Sequence, residues 1–105
     1  MLDCVASVRM ASAEEIPENG MKGFTVEKTR VLIAKVNGEY YAIGAICTHL
    51  GGLLDNGKLD GNVVTCPLHG SRFDVTNGSV VRQPAKVAVR AYKVTRQGDS
   101  LLVEM

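Results

Sequence analysis

The chain has 105 residues, with twelve Lys and Arg against eleven Asp and Glu and a formal charge of +1, a balance that speaks against nucleic-acid binding through bulk charge. Its 46% hydrophobic and 22% charged residues suit a soluble globular protein, and a chain of this size holds one core that buries about two-thirds of the unfolded surface, so residues 1–105 are expected to form a single domain. The longest apolar run, YYAIGAIC at 40–47, falls short of the about 18 residues a membrane helix needs. The opening MLDCVASVRM lacks the basic-then-apolar pattern of an export signal, and a cytoplasmic protein without membrane contact is expected.

Cys4 lies in an apolar segment, LDCVASV, and is read as a packing cysteine. In SAEEIPENG at 12–20, Ser12 can cap one helical turn with Glu15 three residues on, and Pro17 stops it. VLIAKV and YYAIGAI then flank Asn37-Gly38, RFDV and SVV flank Asn77-Gly78, and AYKVTR and SLLVEM flank Gly98-Asp99. Asn-Gly between β-prone runs predicts a hairpin whose two central residues both take positive φ. Six glycines, Gly51, Gly52, Gly57, Gly61, Gly70 and Gly78, concentrate in the middle of the chain. The pattern predicts an all-β, mostly antiparallel domain with a loop-rich insertion at about 45–84.

That insertion carries Cys47-Thr48-His49 and Cys66-Pro67-Leu68-His69, which use both histidines and two of the three cysteines of the chain. In an extended segment, residues two apart point to one side, and a tight turn lets both ends of C-P-L-H face one centre. Each pair can clamp a metal. Two thiolates and two imidazoles also complete a structural zinc site, so ligand count alone leaves zinc open. The neighbouring Gly51, Gly52, Gly70 and Ser71 offer backbone N–H and hydroxyl donors, which suit a bulky cluster with anionic sulfides better than a single ion. If Cys47 and Cys66 bind metal, no pair remains for a structural disulfide, which fits a reducing compartment.

The order C-x-H, sixteen intervening residues, then C-x-x-H, within CTHLGG and CPLHGSRFD, resembles the signature of the Rieske [2Fe–2S] family. VNGEYYAIGAICTH, GKLDGNVVTCPLHG and the late QPAK extend the likeness over most of the chain. The resemblance implies a Rieske-like antiparallel β-sandwich with a cluster-binding subdomain inserted near one end, holding one [2Fe–2S] cluster. By it, Cys47 and Cys66 would bind one iron and His49 and His69 the other, the latter near the surface. Replacing two thiolates by imidazoles makes the oxidised site neutral instead of doubly negative, which raises the potential into the range of about −150 to +300 mV. Positive charge on the metal would also ease loss of the outer imidazole protons, so the potential is expected to fall with rising pH in the alkaline range.

Rieske proteins of quinol-oxidising complexes carry a further cysteine in each loop, joined in a disulfide, where this chain has Gly52 and Leu68. Their cluster-facing serine is matched by Ser71, and their tyrosine is replaced by Phe73. These departures resemble the soluble Rieske-type ferredoxins that feed aromatic-ring oxygenases. The expected function is outer-sphere transfer of one electron, without catalysis, from a flavoprotein reductase to a terminal oxygenase or similar acceptor. Potential would be low to intermediate, raised if Ser71 donates to a cluster sulfur. Leu50, Gly51, Gly52, Pro67, Leu68 and Pro84 are expected to form an apolar rim, among the mixed charges of Lys58, Arg72, Arg82, Lys86, Asp55, Asp60 and Asp74. Two alternatives are the small Rieske subunit of a larger reductase, such as a nitrite reductase, and a zinc-stabilised interaction module.

Overall fold

The computed structural model describes residues 7–26, 28–48, 51–68, 70–83 and 85–104. The readings for Cys4, His49, Leu50, His69 and Pro84 lie outside them. The strands are β1 (Ser7–Ser12), β2 (Met21–Val26), β3 (Thr29–Val36), β4 (Glu39–Gly44), β5 (Lys58–Asp60), β6 (Val63–Thr65), β7 (Arg72–Asp74), β8 (Val80–Arg82), β9 (Ala91–Tyr92), β10 (Val94–Gln97) and β11 (Ser100–Glu104). All pairings among them are antiparallel, in three sheets ordered β1-β11-β10, β2-β3-β4-β9 and β5-β6-β7-β8.

The central sheet explains why VLIAKV is apolar without alternation. Successive side chains of a strand point to opposite faces, and here both faces are covered. Val31 and Ile33 pack with Ala11, Leu101 and Val103 of the β1-β11-β10 sheet, while Leu32, Ala34 and Val36 pack with Val64 and Phe73 of the β5–β8 sheet. Residues 31–34 are therefore wholly buried. The two outer sheets sandwich the central one, and the second core also contains Cys47 and Cys66.

The hairpins follow the turn chemistry with one correction. Asn37 and Gly38 have φ of 52° and 80° between the paired Val36 and Glu39, as a two-residue loop with both central residues left-handed requires. At Asn77-Gly78 only Gly78 is left-handed, with φ of 79°. The connection is longer than expected because the Asp74 carbonyl accepts from both Asn77 N–H (3.3 Å) and Gly78 N–H (2.7 Å), and Asp74 N–H donates to Ser79 O at 2.9 Å. Gly61-Asn62 closes a further hairpin, β5–β6, with Gly61 at φ 62°, and Gly-Asn is itself a recognised hairpin signal. A three-residue 3₁₀ turn at Ala13–Glu15 starts at Ser12, whose N–H donates to Glu15 Oε2 at 2.8 Å.

AYKVTR is not one strand. Ala91 and Tyr92 pair with Ile43 and Ala42 of the central sheet, whereas Val94 pairs with Val103 of the outer one. Lys93 lies at the crossing, its carbonyl accepting from Glu104 N–H at 3.0 Å. The segment edges two sheets, and its apolar alternation is the same in either.

Candidate metal centre

Two loops meet at one end of β4 and of the β6–β7 hairpin. The first leaves β4 at Gly44, whose N–H donates to Arg90 O at 2.7 Å, and returns through Leu54, whose N–H donates to Ala45 O at 2.8 Å. Inside it Cys47 N–H donates to Gly52 O (2.8 Å) and Gly51 N–H to Cys47 O (2.9 Å). The second joins β6 to β7. There Cys66 N–H donates to Ser71 O (2.7 Å) and Gly70 N–H to Cys66 O (3.2 Å).

The loops thus share one backbone form, a cysteine bonded to the residue five ahead and closed by a glycine four ahead. Those glycines, Gly51 and Gly70, have φ of 76° and 80°, and a Cβ at either would meet nothing within 4 Å. Their requirement is the left-handed backbone itself, which costs other residues about 1–2 kcal/mol. In the letters the repeat shows only as a glycine four residues after each cysteine, since the histidine stands two residues after the first cysteine and three after the second.

Gly52 brings the loops together. A Cβ on it would stand 2.9 Å from Cys66 Sγ and 3.0 Å from Leu68 Cγ, so the first loop lies directly against the second. Cys47 and Cys66 are buried thiols, each 3% exposed. Gly52 is buried too and does not join the expected rim. Gly51, Pro67 and Leu68 are exposed as expected, with Ile46, Leu53 and Val87 as further exposed apolar residues near the loops.

Ser71 is fully buried, and its Oγ accepts from Ala85 N–H at 3.0 Å. With an oxygen lone pair so engaged, the hydroxyl hydrogen remains to be donated, as a cluster sulfide would require. The same bond anchors the QPAK segment at Ala85, and Thr48 Oγ1 donates to the carbonyl of Val87, just after that segment, at 2.6 Å. Phe73 is buried in the core that contains both cysteines and brings no hydroxyl there.

The residue that sequence reading passed over is Arg30. Its Nη2 lies 2.6 Å and its Nε 3.4 Å from the two oxygens of Asp55, in the 3₁₀ turn that follows the first loop, and its carbonyl accepts from Ala45 N–H at 3.0 Å. The hydrogen bond to Asp55 holds the Arg30 guanidinium above its ordinary pKa, against the opposing effect of burial. Asp55 is consequently a buried brace and not a loose surface charge. Twenty-five positions separate the partners, and no local pattern joins them. Asp74 also departs from the mixed-charge reading: burial pushes its pKa up, but bonds from the Thr76 hydroxyl and amide and from Asn62 outweigh that and leave it lowered.

The thiol pair, the hydroxyl donor and the paired loops fit the group that the sequence implied. A family model of the Rieske [2Fe-2S] domain matches residues 6–93. The chain belongs to the Rieske [2Fe–2S] family. The ferredoxin component of a naphthalene 1,2-dioxygenase system of Pseudomonas aeruginosa is 35% identical over 91 residues, covering 87% of this chain and 88% of that protein. The solved ferredoxin of carbazole 1,9a-dioxygenase from Nocardioides aromaticivorans IC177 is 32% identical, with a TM-score of 0.88 over 92% of this chain and 95% of that one. A chain of a solved complex of reduced oxygenase and oxidised ferredoxin in carbazole 1,9a-dioxygenase has 25% identity and a TM-score of 0.87, covering 93% and 92%. The cofactor is accordingly a Rieske-type [2Fe–2S] cluster and the protein an electron carrier of the ferredoxin kind, which overturns the zinc alternative. Among the described residues no helix is long and apolar enough to cross a membrane.

Proposed function

We propose that Cys47, His49, Cys66 and His69 hold the cluster, with Ser71 donating to one of its sulfurs. On this reading residues 1–105 act as one Rieske domain whose binding part spans about 45–84, working in the cytoplasm. The chain takes an electron from a flavoprotein reductase and passes it to a terminal oxygenase or similar acceptor. When bound, the cluster supplies one-electron exchange at a potential between about −150 and +300 mV.

The observation that carries the assignment is the contact between the two like loops, which stacks Gly52 on Cys66 Sγ and keeps both thiols out of water. A bound metal would hold each thiol as the thiolate despite that burial. Ile46, Leu53, Leu68 and Val87 surround the loops with apolar surface, which limits hydration of the electron exit. Buried thiols suit the reducing interior of a cell.

The test is the electron paramagnetic resonance of reduced protein labelled with ¹⁵N-histidine, together with Cys47→Ser, Cys66→Ser, His49→Ala and His69→Ala. Two histidine nitrogen couplings in the parent, and loss of the native signal in every variant, are expected. An unchanged signal in any one of the four would remove that residue from the ligand set.

A further inference from the structure

Register places Lys58 opposite Thr65, Thr65 opposite Arg72, and Arg72 opposite Arg82, a row straight across the β5–β8 sheet. The neighbouring row, Leu59, Val64, Phe73 and Val80, faces the core. The cationic row therefore faces outward, and its three charges are exposed. Simple alternation from the inward Val80 would turn Arg82 inward as well. The irregularity in the β7–β8 register makes Val81 an extra residue and returns Arg82 to the outer face beside Arg72.

Like charges facing each other across strands repel, and among the described residues no ion pair engages Lys58, Arg72 or Arg82. Asp74 on the adjacent row is already occupied by Thr76. Asp60 stands on the same outward face and lines a groove with Lys58, Thr65 and Arg72, so the row keeps an excess of positive charge that carboxylates from outside can neutralise. It adjoins the second loop, since Thr65 precedes Cys66 and Arg72 follows Ser71, and a groove of about 450 Å³ lined by Lys58, Thr65, Cys66, Pro67, Gly70 and Arg72 opens there. In a chain of net charge +1, three exposed cations therefore stand side by side next to the second loop.

We propose that this row docks an acidic surface of the protein that exchanges electrons with the chain. The proposal rests on the carrier function and gives it an orientation: steering by opposed charge speeds encounter while leaving release rapid. The row sits where the second loop would deliver or receive the electron.

The test uses the cluster-loaded full chain and two small oxidants of opposite charge, ferricyanide and hexaammineruthenium(III), acting on dithionite-reduced protein. K58E/R72E/R82E is compared with K22E/K35E/K93E, which changes the net charge equally away from the row, and K58Q/R72Q/R82Q serves if the first variant does not fold. At low ionic strength the row variant should slow ferricyanide at least fivefold and speed hexaammineruthenium(III), with less than a twofold change in the control, and high salt should erase the difference. In ¹⁵N spectra of the parent, poly-L-glutamate should shift amides of β5–β8. Equal rates in the two charge-reversed variants, shifts spread over the whole surface, or tighter binding of a DNA duplex than of poly-L-glutamate would overturn the proposal. Protein that neither oxidant reoxidises would instead count against electron carriage, with the poly-L-glutamate titration still deciding the docking face.

Discussion

On the proposed assignment Ser71 would serve structure and redox chemistry with one hydroxyl. Its Oγ accepts from Ala85 N–H at 3.0 Å, and on that assignment its hydrogen would be donated to a cluster sulfur. Ser71→Ala should lower the reduction potential by on the order of 40 mV, the one-electron equivalent of about 1 kcal/mol, as read by voltammetry. The same change leaves a buried amide without its acceptor, so the urea midpoint should fall by the equivalent of about 1–3 kcal/mol. A change in midpoint with an unmoved potential would restrict the serine to a structural role. Asp74 gives a pH-dependent counterpart. Its pKa is lowered on folding by the Thr76 and Asn62 bonds, so its charge stabilises the protein above the unfolded value near about 3.9 and ceases to do so as pH falls through the folded one. Asp74→Asn, which keeps an accepting oxygen, should therefore be less stable than the parent at pH 6, with the gap narrowing in acid. A gap that is constant from pH 6 to pH 3 would show that the charge contributes nothing.

At the scale of elements, the two cysteine loops repeat one hydrogen-bond pattern under different histidine spacings. Gly70→Ala should cost about 1–2 kcal/mol from backbone conformation alone, and Gly70→Asn less, because asparagine tolerates the left-handed region. Equal costs for the two, in denaturant titrations, would mean that something other than φ matters there. Gly52→Ala acts differently, by pressing a methyl group onto Cys66 Sγ and Leu68, and should reduce iron content per chain more than it reduces folding stability. The hairpin at Asn37-Gly38 and the turn at Ser12 were legible because their chemistry is complete within four residues. The split of AYKVTR was not, since pairing with β4 and pairing with β11 ask for the same alternation. Arg30 and Asp55 escaped for a related reason: a charge pair 25 residues apart has no local mark.

Across the whole molecule the central sheet separates two cores, one holding Cys47 and Cys66 and the other packing the termini-bearing sheet. Leu32 and Ile33 are adjacent and fully buried, yet belong to opposite sides. Leu32→Ala and Ile33→Ala should each cost about 2–5 kcal/mol. In urea, Leu32→Ala should lose its visible absorbance before its far-ultraviolet circular dichroism, while Ile33→Ala should lose both together. Coincident loss in both variants would mean that the two cores unfold as one. What the sequence alone determined was the class of fold, the Asn37-Gly38 hairpin and the spacing of the two Cys/His pairs, because each is written in residues a few positions apart. Tertiary structure decided that β1 pairs with the C-terminal strand, that Gly52 rests on Cys66, that Arg30 braces the first loop and that Lys58, Arg72 and Arg82 share one face. Each of these depends on closing the chain over long separations, where the gain comes from burial and register and leaves no periodic trace in either partner.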